Sequence, residues 1–268
     1  MEVSILGHTD RSLKALIRNV PLPLMNALRR TIIAEVPTMA IDEVIFIDNT
    51  SALYDEIIAH RLGLIPLKTD LDRYKTMEEA GCKDIMQCKE AAVRLILDVE
   101  AKDDIEIVYS RDLKSEDPEI VPVSDKIPIA VLSKGQKIAL EAYARLGRGR
   151  EHIKWSPVSV SAFKYLPKIM VNTDLCTYCG ECVKACPKRI FDIKNDQIEI
   201  KNIIECTLCR SCEEACPTKA ITVTWDSNSF VFYLESTGAL PPKRIITEAF
   251  KILKKKLLEL HKSIEGAK

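Results

Sequence analysis

CTYCGECVKACP at residues 176–187 and CTLCRSCEEACP at residues 206–217 are two copies of one cysteine pattern. Both copies read C-x2-C-x2-C-x3-C-P, and each position of the second lies 30 residues after its counterpart in the first. Cysteine thiolates at this spacing are typical ligands of iron–sulfur clusters. The repeat therefore predicts a duplicated, ferredoxin-like module at residues 168–224, in which each half offers thiolates for one cluster.

The fourth cysteine of each run is expected to bind the cluster of the other run, because the proline after it turns the chain away. The two predicted ligand sets are Cys206, Cys209, Cys212 and Cys186, and Cys176, Cys179, Cys182 and Cys216. Structural zinc also accepts four thiolates, but its sites usually pair two C-x2-C units. We therefore expect iron, as one or two [4Fe-4S] or [3Fe-4S] clusters per chain.

The composition is that of an ordinary globular protein and excludes several classes. The chain has 268 residues, a hydrophobic fraction of 47%, a charged fraction of 29% and no net charge. This length allows two or three domains, and the neutral charge gives no support to direct nucleic-acid binding. No signal peptide and no membrane span is predicted, which favours a cytoplasmic protein over a secreted disulfide scaffold. The basic residues Lys184, Lys188, Arg189 and Arg210 are expected on a solvated face.

Hydrophobic periodicity predicts a mixture of helices and strands. A helix over residues 24–36 has an apolar face and ends at Pro37. A second helix is expected over residues 54–64, and residues 137–145 are a mixed segment. Strands are predicted at residues 14–20, 42–47, 93–99, 105–109, 127–132, 158–163, 190–193, 220–223 and 230–234.

The tail, residues 243–264, is the strongest predicted helix. Its apolar residues step by four, three, four, three and four, which is the spacing of a heptad a/d seam. This seam consists of Ile246, Phe250, Leu253, Leu257, Leu260 and Ile264. It could pack on the chain's own core or form a subunit interface, and the residues leave the two equally open.

The remaining motifs carry little chemistry. Cys82 and Cys88 are interpreted as two ordinary thiols, because a zinc site would need two further ligands. Gly147-Arg148-Gly149 lacks the third glycine of a nucleotide loop and is interpreted as a structural turn. No catalytic motif and no flavin or nicotinamide site is predicted.

Three longer stretches carry a family resemblance. They are NALRR at 26–30, continued by IAEVPTMAID at 33–42; AHRLGLIPL at 59–67; and GRGREHIKWSP at 147–157. Together they resemble the α-like subunits of multisubunit RNA polymerases, and among these the archaeal subunits called D. Their order and spacing match over nearly the whole chain.

The resemblance implies an α+β fold with a discontinuous dimerisation domain at residues 1–42 and 225–268. It also implies an inserted, mostly-β domain at 43–167, followed by the ferredoxin-like module. Such a subunit has no catalytic residues of its own and belongs to a nucleotidyltransferase, EC 2.7.7.6. It pairs with the small α-like subunit L, and with subunit N it nucleates docking of the large catalytic subunits, so that DNA is met only through the complex. The implied interface consists of the tail seam together with Leu28 and Ile32.

Family members differ in the number of clusters they hold. If one site is filled here, the resemblance favours that of Cys206, Cys209, Cys212 and Cys186. We expect a structural role for the cluster, with redox-sensitive assembly as a sharper variant. A ferredoxin-type electron-transfer protein is the alternative function, which explains residues 176–216 but not the tail seam or the three long motifs.

Overall fold

The computed structural model describes residues 1–194 and 197–266 as a mixed α/β chain. Residues 195–196 of the predicted cysteine module and 267–268 of the predicted dimerisation domain lie outside the described residues. The helices are α1 (Leu22–Ala34), α2 (Asp55–Gly63), α3 (Met77–Ala80), α4 (Glu181–Ala185), α5 (Ser211–Glu214) and α6 (Pro242–Glu265). The strands are β1 (Glu2–His8), β2 (Ser12–Arg18), β3 (Pro37–Asn49), β4 (Ala92–Glu100), β5 (Glu106–Tyr109), β6 (Lys114–Ser115), β7 (Pro128–Leu132), β8 (Lys137–Arg148), β9 (Val158–Val171), β10 (Phe191–Lys194), β11 (Gln197–Ile200) and β12 (Ile221–Ser236).

The chain divides into two compact units, each built from separate segments. The first unit comprises Met1–His8, Lys14–Asn26 and Ala162–Tyr233, and the second comprises Thr9–Leu13, Ala27–Ser161 and the chain from Leu234 onward. The predicted division into three domains stays a prediction.

The first unit contains the cysteine runs. Its larger sheet has the strand order β1-β2-β12-β9, and a hairpin of β10 and β11 lies between the two runs in sequence. The core of the module joins cysteines to aliphatic and aromatic side chains: Cys182, Cys186, Ile190, Phe191, Cys206, Cys212, Ile221 and Val223. Thiols of the two runs therefore share one apolar interior.

The second unit is built on a sheet of order β3-β8-β4-β6, with β5 and β7 paired separately. Strand β8 is central, and its Ala142 lies opposite Val44 of β3 and Leu95 of β4. The buried alternate residues of β8 are Ile138, Leu140, Ala142, Ala144 and Leu146. This period-2 burial explains why residues 137–148 form one strand, so the prediction of a mixed segment was wrong.

Other elements also differ from the prediction. Residues 221–223 and 230–234 belong to one long strand, β12, because the polar stretch between them stays in the sheet. Strand β1 was not predicted. All seven of its residues are exposed, so no alternation of buried and exposed positions marks it as a strand.

In the described part of the chain, no helix has the length and apolar character needed to cross a membrane.

Candidate iron–sulfur sites and partner surface

The sequence repeat is also a repeat of backbone conformation. Three pairs of residues separated by 30 positions adopt the left-handed region that favours glycine. They are Tyr178 and Leu208 (φ 55° and 60°), Gly180 and Arg210 (φ 79° and 61°), and Arg189 and Lys219 (φ 50° and 53°). Helices α4 and α5 begin directly after the second pair. The two runs therefore follow the same path around their cysteines.

The structure brings Cys186, Cys206, Cys209 and Cys212 together around one small cavity. Its other lining residues are the apolar Pro187, Ile190, Phe191 and Val223 and the polar or charged Lys188, Thr207 and Arg210. Cys186, Cys206 and Cys212 are buried, and Cys209 is exposed. Burial, together with the neighbouring Cys186 and Cys206, raises the pKa of the Cys212 thiol to about 11. The cysteine contributed by the first run thus lies with the three of the second.

The other predicted set is more open. Of its members only Cys182 is buried, Cys176 and Cys216 are half-buried, and Cys179 is exposed. Burial raises the pKa of the Cys182 thiol, and the charges of Cys176 and Cys179 raise it further. The sulfur of Cys216 accepts a hydrogen bond from the backbone N–H of Ala220 at 3.2 Å.

All eight thiols of the two runs are free. Among residues 1–194 and 197–266, no group of three or more His, Cys, Asp or Glu side chains has the geometry to bind a single metal ion. A cubane cluster spreads its thiolates over different iron atoms, so its ligands lie further apart than those of one ion. Thiols that lack the geometry for a single ion can therefore still bind a cluster.

Helix α6 buries one stripe and leaves the heptad seam largely open. Pro242, Ile245 and Ala249 are buried within the second unit, and Lys256 of α6 forms an ion pair with Glu35 at 2.9 Å. Ile246 and Leu253 are half-buried. The exposed members of the seam are Phe250 (39% exposed), Leu257 (66%), Leu260 (58%) and Ile264 (59%).

Leu28 and Ile32 of α1, the other residues of the implied interface, lie in the interior of the chain and not at its surface. Both are buried within the chain, with exposed fractions of 3% and 0%. They therefore stabilise the packing of α1 and offer a partner almost no accessible surface. Leu22 and Leu24, at the start of the helix, are its exposed large apolar residues.

Comparison with known proteins identifies the family of the chain. The RNA polymerase Rpb3/Rpb11 dimerisation domain matches residues 14–257. The chain belongs to this family. Similar proteins named DNA-directed RNA polymerase subunit Rpo3 occur in Archaeoglobus fulgidus (45% identical, covering 98% of both chains) and Methanosarcina acetivorans (41%, covering 97% of both). Another from Pyrobaculum arsenaticum is 41% identical and covers 95% of this chain and 92% of its own length.

In this Rpb3/Rpb11-family chain, the Gly147 motif is structural. A Cβ atom on Gly147 would lie 2.4 Å from the Trp155 ring, and one on Gly149 would lie 2.0 Å from the carbonyl oxygen of Ile33. Both positions therefore need glycine for close approach. The interpretation of this motif as a structural turn agrees with these contacts, although Gly147 itself lies near the end of a strand.

Lys154 of the same motif and Arg145, which precedes the motif, contact the tryptophan ring. The guanidinium of Arg145 lies 4.4 Å and the ammonium of Lys154 lies 4.3 Å from the centre of the Trp155 ring. Both cations also pair with Asp42, at 2.6 and 2.5 Å. Burial alone would raise the pKa of Asp42, but its hydrogen bonds to Lys154 and Arg145 outweigh burial and lower it. These sequence motifs thus connect β3, β8 and the turn before β9.

Cys82 and Cys88 form a disulfide, with 6.0 Å between their Cα atoms. The prediction of two ordinary thiols was wrong. Cys88 is buried and the chain turns between the two residues, which brings the thiols together. The spacing of six residues contains no signal that separates such a pair from two free thiols.

Proposed function

We propose that this chain is the α-like assembly subunit of a multisubunit RNA polymerase of the archaeal type. As a family member it is part of DNA-directed RNA polymerase, EC 2.7.7.6. The proposed role is non-catalytic: the chain pairs with the small α-like subunit L in the cytoplasm. With subunit N, the pair then receives the large catalytic subunits, and DNA is bound only through the assembled enzyme.

The exposed seam of α6 is the observation that carries this proposal. Phe250, Leu257, Leu260 and Ile264 repeat at heptad spacing on a helix whose neighbouring stripe is already buried. Each such side chain gains about 1.5–3 kcal/mol on full burial, so leaving all of them in water is costly. A helix from a partner with a matching apolar seam would bury them.

The proposal is tested by co-expressing the chain with subunit L under anaerobic conditions, followed by size-exclusion chromatography. We expect a one-to-one complex that Leu257→Glu disrupts, with a loss of at least about 2 kcal/mol of binding free energy. Because Leu257 is exposed, this substitution should change the thermal unfolding temperature of the chain only slightly. Lys255→Glu is the matched control, since a separation of two residues places it on the opposite side of α6. A stable monomer that does not bind subunit L would contradict the proposal.

We also propose that the cysteine module binds an iron–sulfur cluster with a structural role. Support comes from the free thiols of Cys186, Cys206, Cys209 and Cys212, which line one cavity together with apolar side chains and with Lys188 and Arg210. These residues would hold the cluster, and Cys176, Cys179, Cys182 and Cys216 would hold a second one if both sites are filled. Cluster binding deprotonates the thiols and links the two runs, so its free energy adds to that of folding.

Ferredoxin-type electron transfer remains the alternative function for the module. It gives no reason for the exposed seam of α6 or for a family match that extends over residues 14–257. An electron carrier would be a monomer that a flavoprotein reductase reduces, and the chromatography above separates the two functions.

A further inference from the structure

Two lysines of the larger sheet of the first unit reach the start of the second cysteine run. Lys164, on β9, donates a hydrogen bond from its ammonium to the backbone carbonyl of Cys206 at 2.7 Å. Lys14, on β2, pairs with the carboxylate of Glu205 at 2.6 Å. Lys164 is half-buried. Cys206, the first cysteine of the second run, is therefore bonded to β9, and Glu205 directly before it is paired with β2.

The first cysteine run has a different residue at the matching position. Thirty residues before Glu205 the chain has Leu175, which is 50% exposed and carries no charge. The duplicated backbone therefore does not require the lysine contacts. Among the contacts described for these positions, Glu205 and Cys206 contact lysines, and their counterparts Leu175 and Cys176 do not.

The charges around this point are predominantly positive. Lys14 lowers the pKa of the Glu205 carboxyl group most, and the charges of Lys164 and Lys188 lower it further. Four thiolates with their irons form a group whose charge becomes more negative on reduction. A nearby ammonium favours the more negative form and the ionised ligands, and its effect is larger where water is partly excluded.

We propose that Lys164 is a positioning residue for the cluster of Cys186, Cys206, Cys209 and Cys212. Its hydrogen bond fixes the backbone of Cys206, and its charge stabilises the bound cluster and raises the reduction potential. This inference rests on the proposed cluster, and it concerns an outer residue that binds no iron. Residues of this kind orient metal ligands, and their loss typically weakens metal binding by roughly 10–100-fold.

The test uses the chain co-purified anaerobically with subunit L. Lys164→Met keeps most of the side-chain volume and removes the charge, and Lys164→Arg keeps the charge. Lys168→Met is the matched control, because Lys168 is an exposed lysine four residues further along β9. Iron and sulfide per chain, the rate of iron release to a chelator, and the midpoint potential from an EPR-monitored titration are measured for each.

We expect Lys164→Met to release iron roughly 10-fold faster than the parent and to have a lower midpoint potential. Lys164→Arg should restore both quantities, and Lys168→Met should match the parent. Parent-like release and potential in Lys164→Met, or an arginine variant that fails as the methionine variant does, would overturn the positioning role alone. A parent protein without iron would instead overturn the cluster proposal, and this inference with it.

Discussion

The first and second cysteine runs adopt the same backbone at a 30-residue offset but have different surroundings. The set centred on the second run has three buried thiols and the set centred on the first has one. Two lysines also connect the second run to neighbouring strands. The repeat thus supplies two equivalent cysteine patterns, and the packing around each pattern, rather than the pattern itself, makes the two candidate sites unequal.

The largest expected effect separates the two sites directly. Cys212→Ser and Cys182→Ser change buried cysteines at matching positions of the repeat. We expect Cys212→Ser to remove most of the bound iron and Cys182→Ser to remove little, because the cavity around Cys212 is the more enclosed. Iron and sulfide analysis of anaerobically purified complex, with visible absorption, measures the difference. Equal losses would show that the surroundings do not distinguish the sites.

A second pair of variants examines the exchange of ligands between the runs. Cys186 belongs to the first run in sequence but lines the cavity of the second. Cys186→Ser should therefore lower the iron content as Cys212→Ser does, whereas Cys216→Ser should resemble Cys182→Ser. The same iron and sulfide analysis applies. If Cys186→Ser instead resembled Cys182→Ser, each run would bind its own cluster and the crossed assignment would be wrong.

The smallest effects concern the backbone that the runs share. Gly180 and Arg210 occupy matching left-handed positions, and only one of them is glycine. Gly180→Ala should lower the free energy of unfolding by about 1 kcal/mol, because an L side chain is strained at this φ. Arg210→Gly should change it by at most about 1 kcal/mol in the stabilising direction, since relief of strain is offset by the entropy of glycine. Urea denaturation of both variants tests this, and a stabilised Gly180→Ala would contradict the backbone equivalence.

The sequence predicted these features to different degrees for physical reasons. The 30-residue repeat and the heptad spacing of α6 are periodic, so they can be recognised without coordinates. The burial of Leu28 and Ile32 depends on what packs against α1, which a helical pattern alone does not specify. The contact of Lys164 with Cys206 joins residues 42 positions apart through a carbonyl group, and no side-chain pattern indicates it. The Cys82–Cys88 pairing depends on a local turn in the same way.

The exposure of the C-terminal half of α6 is expected to affect how long an unassembled copy of the protein persists in the cell. Residues 257–266, which follow the ion pair of Lys256 with Glu35, are all exposed. A helical segment of this length is marginal without packing. In a copy that has no partner, we expect this segment to unwind readily and to present apolar side chains to proteases and chaperones. Unassembled copies would then be removed sooner than assembled ones. The supply of the partner would in that way set the abundance of this protein.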